Sequence, residues 1–259
     1  MTNQRSVVFL LIGAVVMIVA VFAALRLAGG WGGGDVSTSA MSRADVEKIV
    51  RNYLLENPEV IFEAVDRMKA KEEDQRLVQL KDNAKKHATA LFGETEPIVA
   101  GNPKGDVTIV EFFDYRCPYC KKGKQALVDL LKQDGNIRLI LKEYPILSAE
   151  SELAARAAVA SVPQGKYWDF HLALFGAEEL SEESIYATAK SVGIDVAKLK
   201  VEMANPKVSK RLKDVQTLGQ DMGVNATPTF FIGDQPYTGA MTLKEMKDAV
   251  AAVRKARPS

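Results

Sequence analysis

The amino-acid sequence predicts an α/β fold in which a block of helices is inserted into a β-sheet, and three observations favour it. First, Val107–Phe113 is a run of β-branched and aromatic residues, which is typical of a buried strand. Second, the segment from Pro118 onward has one apolar stripe at helical spacing, formed by Ala126, Leu127, Leu130 and Leu131. Third, a long stretch of helical periodicity separates these elements from another strand at Thr229–Ile232.

The order of the remaining elements specifies the topology. Residues 137–146 predict a second strand, and the helical stretch that follows covers about residues 147–223. A short edge strand at residues 237–238 and a closing helix at residues 242–255 complete the chain. This order is that of a thioredoxin-like fold with an inserted helical domain, to which we assign residues 93–259.

The N-terminal segment predicts a membrane helix. Residues 7–25 are an unbroken apolar run of 19 residues between Arg5 and Arg26, long enough to cross a hydrocarbon core. We favour an uncleaved signal anchor over residues 1–27, and a cleaved signal peptide is the alternative. Residues 28–41 are rich in glycine, serine and threonine, which predicts a flexible linker. The rest of the chain is then expected in the periplasm, tethered to the inner membrane.

A helical stalk is predicted between the linker and the sheet, over residues 42–92. Ser42 is a candidate N-cap, and the apolar residues behind it recur at helical spacing, namely Val46, Ile49, Val50, Tyr53 and Leu54. Farther along, a heptad seam is formed by Leu77, Leu80, Ala84, His87 and Leu91. The stalk either packs on the C-terminal domain or self-associates. We favour self-association and therefore expect a homo-oligomer.

Composition excludes some functions and directs attention to the cysteines. The net charge is +1, so no strong field points to nucleic acid or to an acidic substrate. The two cysteines of the chain, Cys117 and Cys120, allow one intramolecular disulfide. It would close a loop too short to contribute more than roughly 2 kcal/mol. A domain of this size has a hydrophobic core of its own, so the pair is predicted to be reactive rather than structural.

The motif Cys117-Pro118-Tyr119-Cys120 lies where a strand passes into a helix, and this placement suits disulfide exchange. The partial positive charge of a helix N-terminus stabilises a thiolate on Cys117 and lowers its pKa. Cys120 then lies within reach to resolve a mixed disulfide. Pro118 fixes its backbone angle and lacks an N–H donor, and Tyr119 shapes the surface beside the sulfurs. This chemistry needs no cofactor.

Metal binding is the competing hypothesis for the same two thiols. Zinc would need two more ligands, and besides carboxylates the chain offers only His87 and His171. Copper(I) suits two thiolates better, so a copper(I) carrier remains the alternative function.

Glu111 is a candidate acid–base residue, six positions before Cys117 in an apolar strand. Burial would raise the pKa of its carboxyl and suit it to accept the proton that Cys120 loses when it attacks. The alternative is a glutamate on an exposed sheet edge.

From about Glu96 onward the chain resembles the DsbA-like disulfide oxidoreductases of the thioredoxin superfamily. The matching segments are residues 111–120, the aromatic residues 167–171, and residues 223–230. The resemblance implies that Cys117 attacks, Cys120 resolves and Glu111 is the buried acid. It also implies that Pro228 is cis and faces the sulfurs, and that Thr227 contacts the substrate through its backbone. The implied partners are secreted proteins with thiols or disulfides, and a membrane redox partner that reoxidises or reduces the dithiol.

Residues 54–61 are similar to the N-terminal helical element of one subgroup, the suppressor-of-copper-sensitivity C proteins. Some members of that subgroup are trimers and some isomerise disulfides. We therefore predict an oxidoreductase that forms, reduces or isomerises disulfides, with a trimer among the expected assemblies. The direction of electron flow depends on tens of millivolts and does not follow from the motif.

Overall fold

The computed structural model describes residues 41–93 and 98–256. The chain divides into two compact units, one ending at Ala64 and the other beginning at Val65. The predicted anchor at residues 7–25 and nearly all of the predicted linker lie outside the described residues. Within the described ranges, no helix combines the length and apolar character needed to cross a membrane.

The N-terminal helices begin with α1, Arg43–Glu56. Ser42 is its N-cap: the Ser42 hydroxyl accepts from the Asp45 amide at 3.2 Å, and the Asp45 carboxylate accepts from the Ser42 amide at 3.2 Å. This reciprocal pair satisfies two otherwise unpaired backbone donors. Helix α2 spans Glu59–Lys86 and α3 spans Ala88–Phe92.

In the described part of the unit that ends at Ala64, residues 41–64, most large apolar side chains are exposed. No residue of α1 is buried. Large apolar residues of α1 and of the start of α2 are more than two-fifths exposed, among them Val46, Ile49, Val50, Tyr53, Leu55, Ile61 and Phe62. In the single chain these residues therefore form an exposed apolar surface.

The sheet has five strands: β1 Val99–Gly101, β2 Val107–Phe113, β3 Ile137–Glu143, β4 Thr229–Ile232 and β5 Gln235–Thr238. Their order is β1-β3-β2-β4-β5. Strands β2 and β3 are parallel, and the other pairs are antiparallel. Strand β2 therefore lies at the centre of the sheet. The carboxyl ends of β2 and β3 and the start of β4 meet at the same edge.

The strand predicted over residues 137–146 ends already at Glu143. Pro145 has no N–H to donate to a ladder, and the amides of Ile146 and Leu147 donate instead to the Asp114 carboxylate at 2.9 and 3.0 Å. Strand β1 was not predicted because three residues are too few to show alternation.

Helix α4, Pro118–Gln133, follows β2, and α10, Leu243–Ala256, closes the chain. The insertion between β3 and β4 contains α5 Ala149–Ala160, a 3-10 turn Val162–Gln164, α6 Tyr167–Gly176, α7 Glu182–Ser191, α8 Val196–Met203 and α9 Pro206–Met222. The predicted fold class, a thioredoxin-like sheet with an inserted helical domain behind an N-terminal helical region, is confirmed. The domain boundaries assigned from the sequence stay predictions.

The two faces of the sheet bury different helices. Ile109 and Phe113 pack with α4 and the helical insertion. On the opposite face, Val110 and Phe112 belong to a core that contains Leu80, Ala84 and Leu91 and against which Leu77 packs. In the single chain this seam packs on the sheet, because that sheet face is apolar and needs cover. Self-association of the stalk stays a prediction.

Candidate active site

Cys117 and Cys120 lie at the junction of β2 and α4. Cys117 is the N-cap of α4, with extended backbone angles of φ −69° and ψ 117°. Its amide donates to the Asp114 carbonyl at 3.0 Å, and the Cys120 amide donates to the Cys117 Sγ at 3.4 Å. Both thiols are reduced and nearly buried, 3 % and 2 % exposed. The helix start therefore directs a backbone donor at the first sulfur, as its position predicts.

The carboxylate of Asp114 positions the turn before Cys117. It accepts from the Arg116 amide and the Ser151 hydroxyl, both at 2.7 Å, besides the two amides of the segment after β3. Asp114 is itself buried. This carboxylate joins the active-site turn to the start of α5. Its role was not predicted; an aspartate directly after a buried strand was the available signal.

The Thr227–Pro228 peptide bond is cis, as the resemblance implies. The Thr227 carbonyl oxygen lies 3.0 Å from the Cys117 Sγ, and the Cys117 thiol, when protonated, donates to it. Thr227 and Pro228 are both buried beside the sulfur. The Pro228 carbonyl accepts from the Gly239 amide at 2.9 Å, which joins this loop to the end of β5.

The two thiols differ sharply in acidity. The pKa of Cys117 is lowered to about 6, chiefly by a hydrogen bond from the Cys120 thiol. Burial opposes this shift, while the Thr227 hydroxyl and the amides of Cys120 and Tyr119 favour it. The pKa of Cys120 is raised, first by burial, then by its hydrogen bond to Cys117 and by the charge of Glu111. The lowered pKa favours the thiolate of Cys117 and the raised pKa favours the protonated thiol of Cys120, so the two are suited to attack and to resolve, respectively.

Glu111 lies in the middle of the central strand, opposite Leu141 of β3 and Phe230 of β4. It is buried, so the alternative of an exposed edge glutamate is wrong. Burial, and then the negative charge of Cys117, raise the pKa of its carboxyl to about 8. A carboxyl with a pKa near neutrality can gain or lose a proton next to the thiol pair.

Pro118 and Tyr119 occupy the first two positions of α4. Tyr119 is 62 % exposed, so its ring borders the site on the surface. All seven residues predicted for the site fall in one region, formed by the second half of β2, the start of α4 and the residues just before β4. They are Glu111, Cys117, Pro118, Tyr119, Cys120, Thr227 and Pro228.

A second buried polar cluster lies behind this region and was not predicted. The Glu143 Oε1 accepts from the Tyr115 hydroxyl at 2.9 Å and from the Tyr167 hydroxyl at 2.6 Å. The Tyr115 oxygen also lies 3.0 Å from the His171 Nδ1. Burial lowers the pKa of His171 to about 3, so the imidazole is neutral. This cluster links the active-site turn to α6; the aromatic residues 167–171 were its visible signal.

Potential metal ligands do not cluster in the described part of the chain. Across residues 41–93 and 98–256, no group of three or more His, Cys, Asp or Glu side chains is placed to bind a metal ion.

Comparison with known proteins places the chain in a family. The thioredoxin family model matches residues 94–252, more than half of the chain. The model of the copper resistance protein ScsC N-terminal domain matches residues 43–75. The fold and the dithiol thus define the class: a thiol–disulfide oxidoreductase. The chain belongs to the thioredoxin family, with DsbA-like and ScsC-like proteins as its relatives.

Two solved structures support this assignment at the level of sequence. A thioredoxin-like oxidoreductase from Silicibacter pomeroyi is 40 % identical, with a TM-score of 0.63, covering 65 % of this chain and 98 % of its own. The thiol-disulfide exchange protein alpha-DsbA2 from Wolbachia pipientis is 31 % identical, with a TM-score of 0.64, covering 70 % of this chain and 98 % of its own.

A periplasmic thioredoxin-like protein from Salmonella enterica is 25 % identical, with a TM-score of 0.59, covering 64 % of this chain and 94 % of its own. Curated relatives include Na(+)/H(+) antiporter NhaA 1 of Salinispora arenicola, 29 % identical over 185 residues. That match covers 64 % of this chain and 28 % of the antiporter. The chain thus spans about a quarter of the length of the curated relatives it matches.

Proposed function

We propose that this protein exchanges disulfides with extracytoplasmic proteins, with Cys117 as the nucleophile and Cys120 as the resolving thiol. The observation that carries the proposal is the place of the Cys117 sulfur at the start of α4, 3.0 Å from the Thr227 carbonyl oxygen and next to the Cys120 thiol, whose hydrogen bond lowers the pKa of Cys117. A substrate segment that contacts Thr227 and Pro228 through its backbone would bring its own sulfur to Cys117. Pro118 and Tyr119 would border that segment.

The exchange has two steps. The Cys117 thiolate attacks one sulfur of a substrate disulfide; that S–S bond breaks, a mixed disulfide forms and one substrate thiolate leaves. Cys120 then transfers its proton to Glu111 and attacks the Cys117 sulfur, and the second substrate thiolate leaves. The substrate has gained two electrons, and the protein pair has become a disulfide. The reverse sequence oxidises a substrate dithiol. Attack of another substrate thiolate on the mixed disulfide regenerates Cys117 and isomerises the substrate.

Glu111 is suited to the second step for an electrostatic reason. The negative charge of Cys117 is one of the two causes that raise the pKa of the Glu111 carboxyl. That charge disappears when Cys117 enters the mixed disulfide. Glu111 then ionises more readily and becomes a base at the moment when Cys120 must lose its proton.

Replacement of each cysteine tests the proposal. We expect Cys117→Ser to abolish turnover of a scrambled-disulfide protein, and Cys120→Ser to accumulate the mixed disulfide, detected by mass spectrometry. Circular dichroism controls for folding. Full turnover by Cys117→Ser would end the proposal. The copper(I) alternative predicts instead stoichiometric copper binding by the reduced wild type together with little exchange activity.

We further propose a periplasmic location, with residues 7–25 as a tether to the inner membrane and a membrane protein as the redox partner. The apolar run supports the tether, and disulfides persist in that compartment. The similar protein from Salmonella enterica is described as periplasmic, which supports the same location for this protein. Fractionation of cells tests this: an anchored protein stays with alkali-washed membranes, whereas recovery as a soluble form that begins after residue 25 would indicate cleavage.

The exposed apolar residues of the first unit support a homo-oligomer, with a trimer among the expected states. Deletion of residues 42–64 should reduce the mass measured by light scattering to that of a monomer. This deletion leaves the core residues Leu80, Ala84 and Leu91 in place, so the catalytic domain still has its cover. An unchanged mass would contradict self-association through this segment. Oxidase and isomerase assays of both forms would show whether assembly selects the direction of exchange.

A further inference from the structure

One turn of α2 contacts both the loop that contains the cis-proline, residues 223–228, and the end of β5. The Arg76 Nη1 donates to the Asn225 Oδ1 at 3.0 Å, on the side before Pro228. The Thr238 hydroxyl donates to the Glu73 Oε1 at 2.7 Å, on the side after it. We call Glu73 and Arg76 the loop clamp.

The two clamp residues also orient each other. The Arg76 Nε donates to one Glu73 oxygen at 2.9 Å and the Arg76 Nη2 to the other at 2.8 Å. A two-bond pair of this kind restricts the direction of both side chains. Arg76 keeps its Nη1 for Asn225, whereas the Glu73 Oε1 accepts from both the Arg76 Nη2 and the Thr238 hydroxyl. The pair therefore connects residues 225 and 238 through one rigid unit on a single helical turn.

The residues that contact the clamp lie close in the chain to the residues that contact the reactive sulfur. Asn225 is two residues before Thr227, whose carbonyl lies 3.0 Å from the Cys117 Sγ. Thr238 is followed by Gly239, whose amide donates to the Pro228 carbonyl at 2.9 Å. Polar side chains of α2 thus contact the loop before the cis-proline and the end of β5, which is itself bonded to the Pro228 carbonyl.

Stability of the whole fold does not explain the clamp. The side chains of Arg76 and Glu73 are 24 % and 42 % exposed, and ion pairs with such access to water contribute little to global stability. The core contacts of α2 come from Leu80 and Ala84. Asn225 is exposed, so burial does not fix its position. The effect of the clamp is therefore local, on the position of the loop.

We infer that Glu73 and Arg76 are positioning residues for exchange with protein substrates, because they orient the Thr227 backbone that such a substrate would contact. The inference rests on the proposed function. A small disulfide reagent needs only the Cys117 thiolate, whereas a protein substrate must also align along the loop. Loss of the clamp is therefore expected to affect the two kinds of substrate differently.

Arg76→Gln and Glu73→Gln test the inference in the full chain. We expect either change to raise KM for a peptide disulfide about tenfold, since small misalignments of bound reactants are costly. The rate with a small aromatic disulfide should change less than twofold, and the thermal midpoint should match that of the control. The two variants change the charge in opposite directions, so a positioning effect lowers peptide exchange in both. A pure charge effect would shift KM in opposite directions and overturn the inference.

Arg156→Gln is the matched control. Arg156 is 26 % exposed, pairs with Glu152 four residues earlier and donates to the Ser209 hydroxyl at 2.7 Å. It therefore makes a similar network, but between α5 and α9, away from the loop. Thr238→Val is a milder probe, because it removes only the hydroxyl that donates to Glu73.

The outcomes distinguish the positioning role from the exchange activity itself. Equal KM values for Arg76→Gln and Arg156→Gln would overturn the positioning role while leaving the proposed function intact. Equal losses with the peptide and with the small disulfide would also overturn it, because the clamp would then act on the thiolate or on the fold. Failure of the proposed function would appear earlier, as absence of turnover by the wild type.

Discussion

The carbonyl oxygen of Thr227 lies 3.0 Å from the Sγ of Cys117, although 110 residues separate the two in the chain. The peptide bond between Thr227 and Pro228 is cis. A hydrogen bond from the side chain of the same threonine contributes to the lowered pKa of Cys117. The carbonyl favours the protonated thiol, and the hydroxyl favours the thiolate.

Replacement of Thr227 by valine separates these two contacts. We expect Thr227→Val to raise the pKa of Cys117 by up to about one unit, since the thiolate loses one donor and one unit corresponds to about 1.4 kcal/mol. The pH dependence of the thiolate absorbance, or of alkylation rate, measures this pKa. Thr227→Ser keeps the hydroxyl and should stay near the wild-type value. An equal shift in both variants would assign the effect to packing rather than to the hydrogen bond.

Glu111→Gln should slow the second step of exchange and spare the first. Glutamine cannot accept the proton of Cys120, and general acid–base catalysis of this kind contributes about 10²–10⁴-fold. Rapid quenching should therefore show an unchanged rate of mixed-disulfide formation and a longer-lived mixed disulfide. Because the substitution would also remove a nearby negative charge, the pKa of Cys120 must be measured in parallel. An unchanged lifetime would remove Glu111 from the mechanism.

The buried carboxyl of Glu143 should make the stability of the protein depend on pH. Burial raises the pKa of its carboxyl to about 8 from an ordinary value of 4.5, against the lowering effect of hydrogen bonds from Tyr167 and Tyr115. The folded protein therefore binds this proton more tightly than the unfolded chain, and the resulting stability is lost as the pH rises from about 4.5 to 8. Glu143→Gln should flatten this decline.

Urea unfolding of wild type and Glu143→Gln at about pH 5 and about pH 8 measures how much stability each protein loses between the two pH values. The expected loss from Glu143 is about 1.4 kcal/mol for each unit by which its pKa differs between the folded and unfolded chain. Contributions from Glu111 and Cys117 are common to both proteins and cancel in the comparison. A difference that grows in the opposite direction would mean that the carboxylate, not the acid, is the favoured form in the folded protein.

The seam on α2 predicts a contrast between two neighbouring residues. Leu80 is buried against the sheet, so Leu80→Ala should destabilise the protein by about 2–5 kcal/mol. Val78 is 61 % exposed, and Val78→Ala should change stability by less than about 0.5 kcal/mol. Denaturant unfolding of the two variants checks this. Comparable effects, with loss of assembly in both, would indicate that the seam acts between chains instead.

Local patterns were sufficient for several features. The bounds of β2 and β4 follow from compact runs of β-branched and aromatic residues, and Ser42 caps α1 as its side chain predicts. The position of Cys117 at a helix N-terminus follows from the neighbouring strand and from Pro118. Each of these depends on residues a few positions apart, which determine backbone conformation directly.

Other features depend on contacts between distant segments and required the tertiary structure. The seam of Leu77 to Leu91 has the same spacing whether it packs on another chain or on its own sheet. In the single chain the seam packs on the sheet, because Val110 and Phe112 of β2 present an apolar face to it. Asp114 and Glu143 are ordinary acidic residues in the sequence, and their roles come from partners contributed by α5 and α6.

The sequence by itself determined the reactive pair, its place at the start of a helix and the succession of strands and helices around it, because these depend on short-range geometry. The tertiary structure decided what surrounds the pair: the Thr227 carbonyl at the sulfur, the buried carboxyl of Glu111 near it, and the contact of Arg76 with Asn225. Desolvation and long-range hydrogen bonds depend on which segments meet in space, and a residue pattern along the chain does not contain that information.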